Sequence, residues 1–145
     1  MTIIEAINTI DTLKPNSYPK ANKVRWLSEL DGIIKTEIID THEGSETIIF
    51  NGYTDATADS TQLLVSAPYD DVYIKWLEAK IDYTNAEYGK YNNSVTAYNT
   101  AYSAFERYYN RTHMPITRKI KYFGVIKSPE YQATNAVAKV IVEED

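Results

Sequence analysis

Residues able to do chemistry are few in this chain, and they are scattered. His42 and His113 are the only two imidazoles in 145 residues, far apart in sequence and with no motif around either. The run Asp40-Thr41-His42-Glu43 carries side chains that can ligate a divalent cation, but not the spaced ligand set of a metal motif; a solvated loop is the simpler account. Asp55 and Asp59 lack the spacing and the glycine of a calcium loop. The adjacent acids Asp70 and Asp71 suit the positive end of a helix dipole better than a hydrolytic dyad. No G-x-x-x-x-G-K, G-x-G-x-x-G or G-x-S-x-G string occurs. Cysteine is absent, which removes disulfides and thiolate ligands. The expectation is therefore a non-enzyme with no catalytic, cofactor or metal site. One further string, Arg118-Lys119-Ile120-Lys121-Tyr122-Phe123, interleaves bases with aromatics as single-strand nucleic-acid binders do, although an amphipathic strand explains it as well.

The elements that must position these residues are dominated by tyrosine. Ten positions (Leu77, Ile81, Thr84, Tyr88, Tyr91, Val95, Tyr98, Tyr102, Phe105, Tyr109) follow an alternation of four- and three-residue steps, and all but Thr84 are apolar or aromatic. This period places them on one face of a long helix or of two stacked helices, as in a coiled-coil seam. A tyrosine buries a large ring while its hydroxyl still needs a partner, so the face suits either a seam between subunits or a core with hydroxyls at its rim. Because the stripe passes Gly89, Asn92, Asn93 and Ser94 without a slip, a continuous or merely kinked helix is expected. About 40 residues at a rise of about 1.5 Å would span roughly 60 Å, longer than the domain needs.

Upstream, Thr2 and Glu5 form a capping box before Ile3, Ile4, Ile7, Ile10 and Leu13, a helix that should end before Pro15. Ser17 and Pro19 then open a second helix running to about Ile39, with Val24, Leu27, Leu30, Ile34 and Ile38 as its buried stripe, widened by Trp26 and Ile33. Gly32 inside it costs about 1 kcal/mol relative to Ala and calls for a close crossing or a bend. Residues 40–66 read as a long loop with one strand or hairpin at Thr47-Ile48-Ile49-Phe50, closed by Asn51-Gly52; such loops are often binding elements, here a candidate docking loop. Ser66, Pro68, Asp70 and Asp71 announce the tyrosine helix. After Pro115, residues 119–127 and 136–143 are short β-prone runs, expected to pair with the strand near Phe50 or with a neighbouring subunit by strand addition.

The length fits one domain, a helical bundle over 1–114, with an extended β arm over 115–145. No apolar run approaches the roughly 20 residues that span a bilayer, and Met1-Thr2-Ile3-Ile4-Glu5 lacks a basic leader, so a soluble protein made in the cytoplasm is expected. The net charge of -5 argues against a dedicated nucleic-acid binder. Glu43, Glu46, Asp55, Asp59, Asp70 and Asp71 lie in a stretch without Lys or Arg, whereas Arg107, Arg111, Arg118, Lys119, Lys121 and Lys127 crowd a later one. A ring of copies could pair the acidic loop of one with the basic segment of the next; two solvated surfaces are the alternative.

The order of elements, with Trp26-Leu27-Ser28-Glu29-Leu30-Asp31-Gly32, Ile38-Ile39-Asp40-Thr41-His42-Glu43-Gly44 and Pro68-Tyr69-Asp70-Asp71, resembles the head-tail connector (adaptor) proteins of tailed bacteriophages and prophages. The match is closest in Trp76-Leu77-Glu78-Ala79-Lys80-Ile81-Asp82-Tyr83, Asn85-Ala86-Glu87-Tyr88 and Tyr91-Asn92-Asn93, leading into Tyr108-Tyr109-Asn110-Arg111. The resemblance covers roughly residues 1 to 114, and the arm after Pro115 is longer than the family pattern. It implies a virion protein of the neck, repeated in a dodecameric ring that binds the portal and the next tail component while genomic DNA passes without specific recognition. Expected interface residues are Tyr88, Tyr91, Tyr98, Tyr102, Tyr109, Arg118, Lys119, Lys121, Tyr122 and Phe123. The alternative is a cytoplasmic homodimeric helical regulator that meets nucleic acid weakly through the basic arm.

Overall fold

The computed structural model describes residues 1–117, which are mainly helical. Four α-helices, α1 (Ile3–Leu13), α2 (Lys20–Glu37), α3 (Asp71–Thr84) and α4 (Tyr88–Thr112), are supplemented by short 3-10 turns at Ile39–Thr41 and Ser45–Thr47. The β-prone runs after Thr117, and with them Arg118, Lys119, Lys121, Tyr122 and Phe123, lie outside the described residues.

The capping box of α1 is present. Thr2 Oγ1 accepts from the Glu5 amide at 3.3 Å, and the Glu5 carboxylate accepts from the Thr2 amide at 2.8 Å. That backbone bond holds the Glu5 carboxyl below its usual range. Two of the remaining unpaired amides of the first turn, on Ile3 and Ile4, donate to the carbonyls of Thr61 and Asp59, so the loop before α3 lies across the start of α1. Ile3, Ala6, Ile7 and Ile10 bury their side chains, and the helix stops at Leu13, ahead of Pro15. On α2 the stripe Val24, Leu27, Leu30, Ile34 and Ile38 is buried as its spacing requires. Pro19 is the N-cap residue itself, and no side chain caps that end. What approaches Gly32 is the loop: a Cβ there would lie 3.7 Å from the Phe50 ring.

The expectation of one long tyrosine helix is corrected. The chain turns back at Asn85–Glu87, and α3 and α4 form an antiparallel hairpin in which Trp76 meets Tyr98 and Tyr69 meets Tyr108. The break falls before the Gly89–Ser94 cluster, which is helical. Ala86 adopts a left-handed φ of 58°, its amide bonds to the Tyr83 carbonyl, and the Glu87 amide bonds to that of Asp82. This is a Schellman termination with alanine in the position glycine usually takes. Of the stripe, Leu77, Ile81, Phe105 and Tyr109 are buried, whereas Thr84 and Tyr88 beside the turn are exposed.

The 40–66 segment also differs from expectation. Thr47 closes a 3-10 turn and Ile48–Phe50 pair with no strand among the described residues, where the β-bridges are Thr2 with Gln62 and His42 with Pro115. The loop is held by burial of Leu63 and Val65 in the core and by a turn at Gly52, where φ is +85°. Buried Asp82 of α3 ties three helices together, pairing with Lys14 at the end of α1 and accepting from the Ser94 hydroxyl of α4.

Candidate functional site

The tyrosines of the stripe divide by height along α4. Tyr109 and Phe105 are buried near its C-terminal end. Tyr98 and Tyr102 are half-buried at mid-height, Tyr98 against Trp76 at 5.0 Å and Tyr102 donating from its hydroxyl to Glu37 at 3.0 Å. Burial, with Glu37 and Glu29 nearby, pushes the Tyr98 hydroxyl up to about 12; burial and the Glu37 bond raise that of Tyr102 as well. At the hairpin turn the pattern reverses. Tyr83 and Tyr88 are 59% and 61% exposed, and the Tyr91 ring lies 5.4 Å from that of Tyr83. The predicted residues thus fall into an intramolecular seam (Tyr98, Tyr102, Tyr109) and an aromatic tip in which Tyr88 is exposed and Tyr91 half-buried.

The outer face of α4 is unusual in a different way. From Tyr91 to Phe105 it carries no charged residue, and Asn92, Asn93, Thr96, Asn99, Thr100 and Ser103 are exposed. These are weak helix formers, so α4 depends on its seam with α3 rather than on propensity.

The two histidines, remote in sequence, meet around Tyr109. The His113 ring stacks on Tyr109 at 3.8 Å, and His42 stands edge-on to it at 4.9 Å. Nδ1 of His42 lies 2.7 Å from the Ile38 carbonyl and Nδ1 of His113 lies 3.3 Å from that of Tyr109, so each ring has a backbone acceptor for its Nδ1 proton. Beside them the chain leaving α4 pairs with residues 41–43: the Ile116 amide donates to Thr41 and the Glu43 amide to Met114. Met114 and Ile116 are 70% and 47% exposed.

Sequence reasoning missed the polar node at Asp31. Its Oδ1 accepts from the Tyr73 hydroxyl at 2.6 Å; its Oδ2 accepts from the Tyr53 hydroxyl at 2.5 Å and from the Leu64 amide at 3.2 Å. Tyr73 in turn accepts from the Val65 amide at 2.8 Å. Burial raises the Asp31 carboxyl above its usual range while these bonds pull it back, and burial beside that carboxylate raises both tyrosine hydroxyls. The node joins α2, α3 and the loop. Each of these donors is engaged in joining segments of the fold.

Among the described residues no group of three or more His, Asp or Glu side chains is placed to hold a metal, and no helix is long and apolar enough to cross a membrane. An open cleft of about 340 Å³ is lined by Arg25 of α2 and Asp55 of the loop. Its remaining lining is Ala21, Asn22, Val24, Tyr53 and Thr54, which adds no further carboxylate, imidazole or amine. The architecture and its surfaces define a mainly helical chain. No family model, curated protein or solved structure matches it significantly.

Proposed function

We propose that this chain is a structural virion protein, a head-tail connector whose copies form a ring on the portal and join capsid to tail around the DNA channel. The observation that carries the reading is a pair of exposed apolar groups at opposite ends of one helix. Tyr83 and Tyr88 stand out at the hairpin turn, and Met114 and Ile116 stand out beyond the other end of α4. The 25 residues of that helix separate them by about 37 Å at the usual rise per residue. A subunit that links two different components needs two such ends, and exposed apolar groups of this kind mark contact surfaces. The intervening uncharged face of α4 supports side-by-side packing in a ring, because short polar side chains lose little rotamer entropy on burial. The family resemblance of residues 1 to 114 supports the same reading. In it the portal and the next tail component are the partners, DNA passes unrecognised, no cofactor is needed and the neck of the particle is the location.

Quantitative mass spectrometry of purified particles from the source tests this. The expected result is the chain at a fixed stoichiometry to the portal protein. Its absence from intact particles would end the adaptor reading and favour a cytoplasmic homodimeric regulator.

A further inference from the structure

Ahead of the turn at Gly52, residues 48–51 have no strand beside them among the described residues. Ile48 packs inward against the core with extended backbone, Ile49 is 79% exposed, and Phe50 turns inward again with its ring 5.1 Å from that of Tyr53. In, out, in is the side-chain period of a strand. Yet no backbone N–H or C=O of residues 49–52 bonds to another described residue. Such an edge is a template for pairing. Around it stand the exposed acids Glu43, Glu46 and Asp55, none of them in an ion pair among the described residues.

The chain also carries a complement to this edge. Residues 119–126 read Lys-Ile-Lys-Tyr-Phe-Gly-Val-Ile between Arg118 and Lys127, a β-prone run with bases and no acid. The route out of α4 points to a second copy as its source. The bridge of His42 with Pro115 is antiparallel, so the chain as far as Thr117 runs toward Ile39 and away from Phe50. In that register the residue opposite Thr47 is Asn110, which is already inside α4.

We propose that the edge at Ile49–Asn51 accepts, by strand addition, residues 119–126 of a second copy of this chain, with the acidic loop of one copy against the basic strand of the next. Main-chain bonds supply the affinity, Ile49 supplies a cross-strand apolar contact, and the opposed charges fix partner and direction. The pairing needs only a second copy of this chain, inside or outside a particle, so the proposal stands or falls apart from the adaptor reading.

Because the chain has no cysteine, single cysteines report contacts cleanly. Full-length Ile49→Cys would be mixed under mild oxidation with isotope-labelled, full-length Ile120→Cys, Tyr122→Cys or Gly124→Cys, and cross-linked peptides would be read by mass. The expected result is an Ile49-linked heterodimer with at least one of the three, formed well above the level given by Asn8→Cys on the exposed face of α1 and declining as salt rises. Cross-linking no greater than the Asn8→Cys background for all three partners overturns the proposal. So does a disulfide that closes within a single chain when both cysteines are placed in one molecule and diluted, because the edge is then filled in cis.

Discussion

At Asp31 three donors from separate segments converge on one carboxylate, and truncating it strands them all. Asp31→Ala should destabilise the protein by about 3 kcal/mol, since each buried donor left unpaired costs roughly 1–3 kcal/mol and relaxation recovers part of that. Asp31→Asn should cost less, because one acceptor oxygen remains for the Leu64 amide. Urea unfolding of both variants checks the order; equal stability of Asp31→Ala and the parent would mean that the node contributes nothing. This residue was partly legible in the sequence. Leu27, Asp31, Ile34 and Ile38 share one helical phase, which places an acid on the buried face of α2, and only a fixed set of donors makes that tolerable. The donors were not legible, because Tyr53 and Leu64 belong to a loop with no periodicity. The predicted tyrosines were legible as a stripe, but type and spacing alone do not separate the buried Tyr109 from the exposed Tyr88.

Among the elements, α1 was readable from its capping box and apolar spacing and α2 from its flanking proline and apolar spacing, all of them local signals, although the expected Ser17 cap of α2 is not made. The α3–α4 hairpin was not, because its reversal rests on Ala86, a residue with no turn signature held at positive φ by its two neighbouring hydrogen bonds. An L residue in this conformation is strained by about 1–2 kcal/mol relative to glycine. Ala86→Gly should therefore raise stability by about 0.5–1 kcal/mol, the relief of strain exceeding the entropy that glycine adds to the unfolded chain. The denaturation midpoint should move up with an unchanged slope against denaturant; a fall in the midpoint would show that the turn is not strained. The loop resisted reading for the opposite reason. Its Thr47-Ile48-Ile49-Phe50 run has strand character, but pairing is a property of what lies beside a segment, and among the described residues nothing does.

For the molecule as a whole, tyrosine is both the chief packing material and a titratable one. Burial raises the hydroxyls of Tyr53, Tyr73, Tyr98, Tyr102 and Tyr109 above the ordinary 10.0. Below pH 10 the folded and unfolded chains are equally protonated at these groups, and their contribution to stability is complete. As pH rises past 10 the unfolded chain releases protons that the fold retains, so stability falls progressively through pH 12 and beyond. Tyrosinate absorbance should then include a late step coincident with loss of far-ultraviolet helicity. A single early step that leaves helicity intact would contradict the burial of these rings. The hydrogen bonds of Asp31 carry a further consequence, for the order of folding. They reach residues 22, 33 and 42 positions away along the chain. A partly folded molecule that buried the carboxylate with only some of those donors in place would hold an uncompensated charge. Half-assembled states are therefore penalised, and loop, α2 and α3 must close together, which makes the node a source of cooperativity as well as of strength.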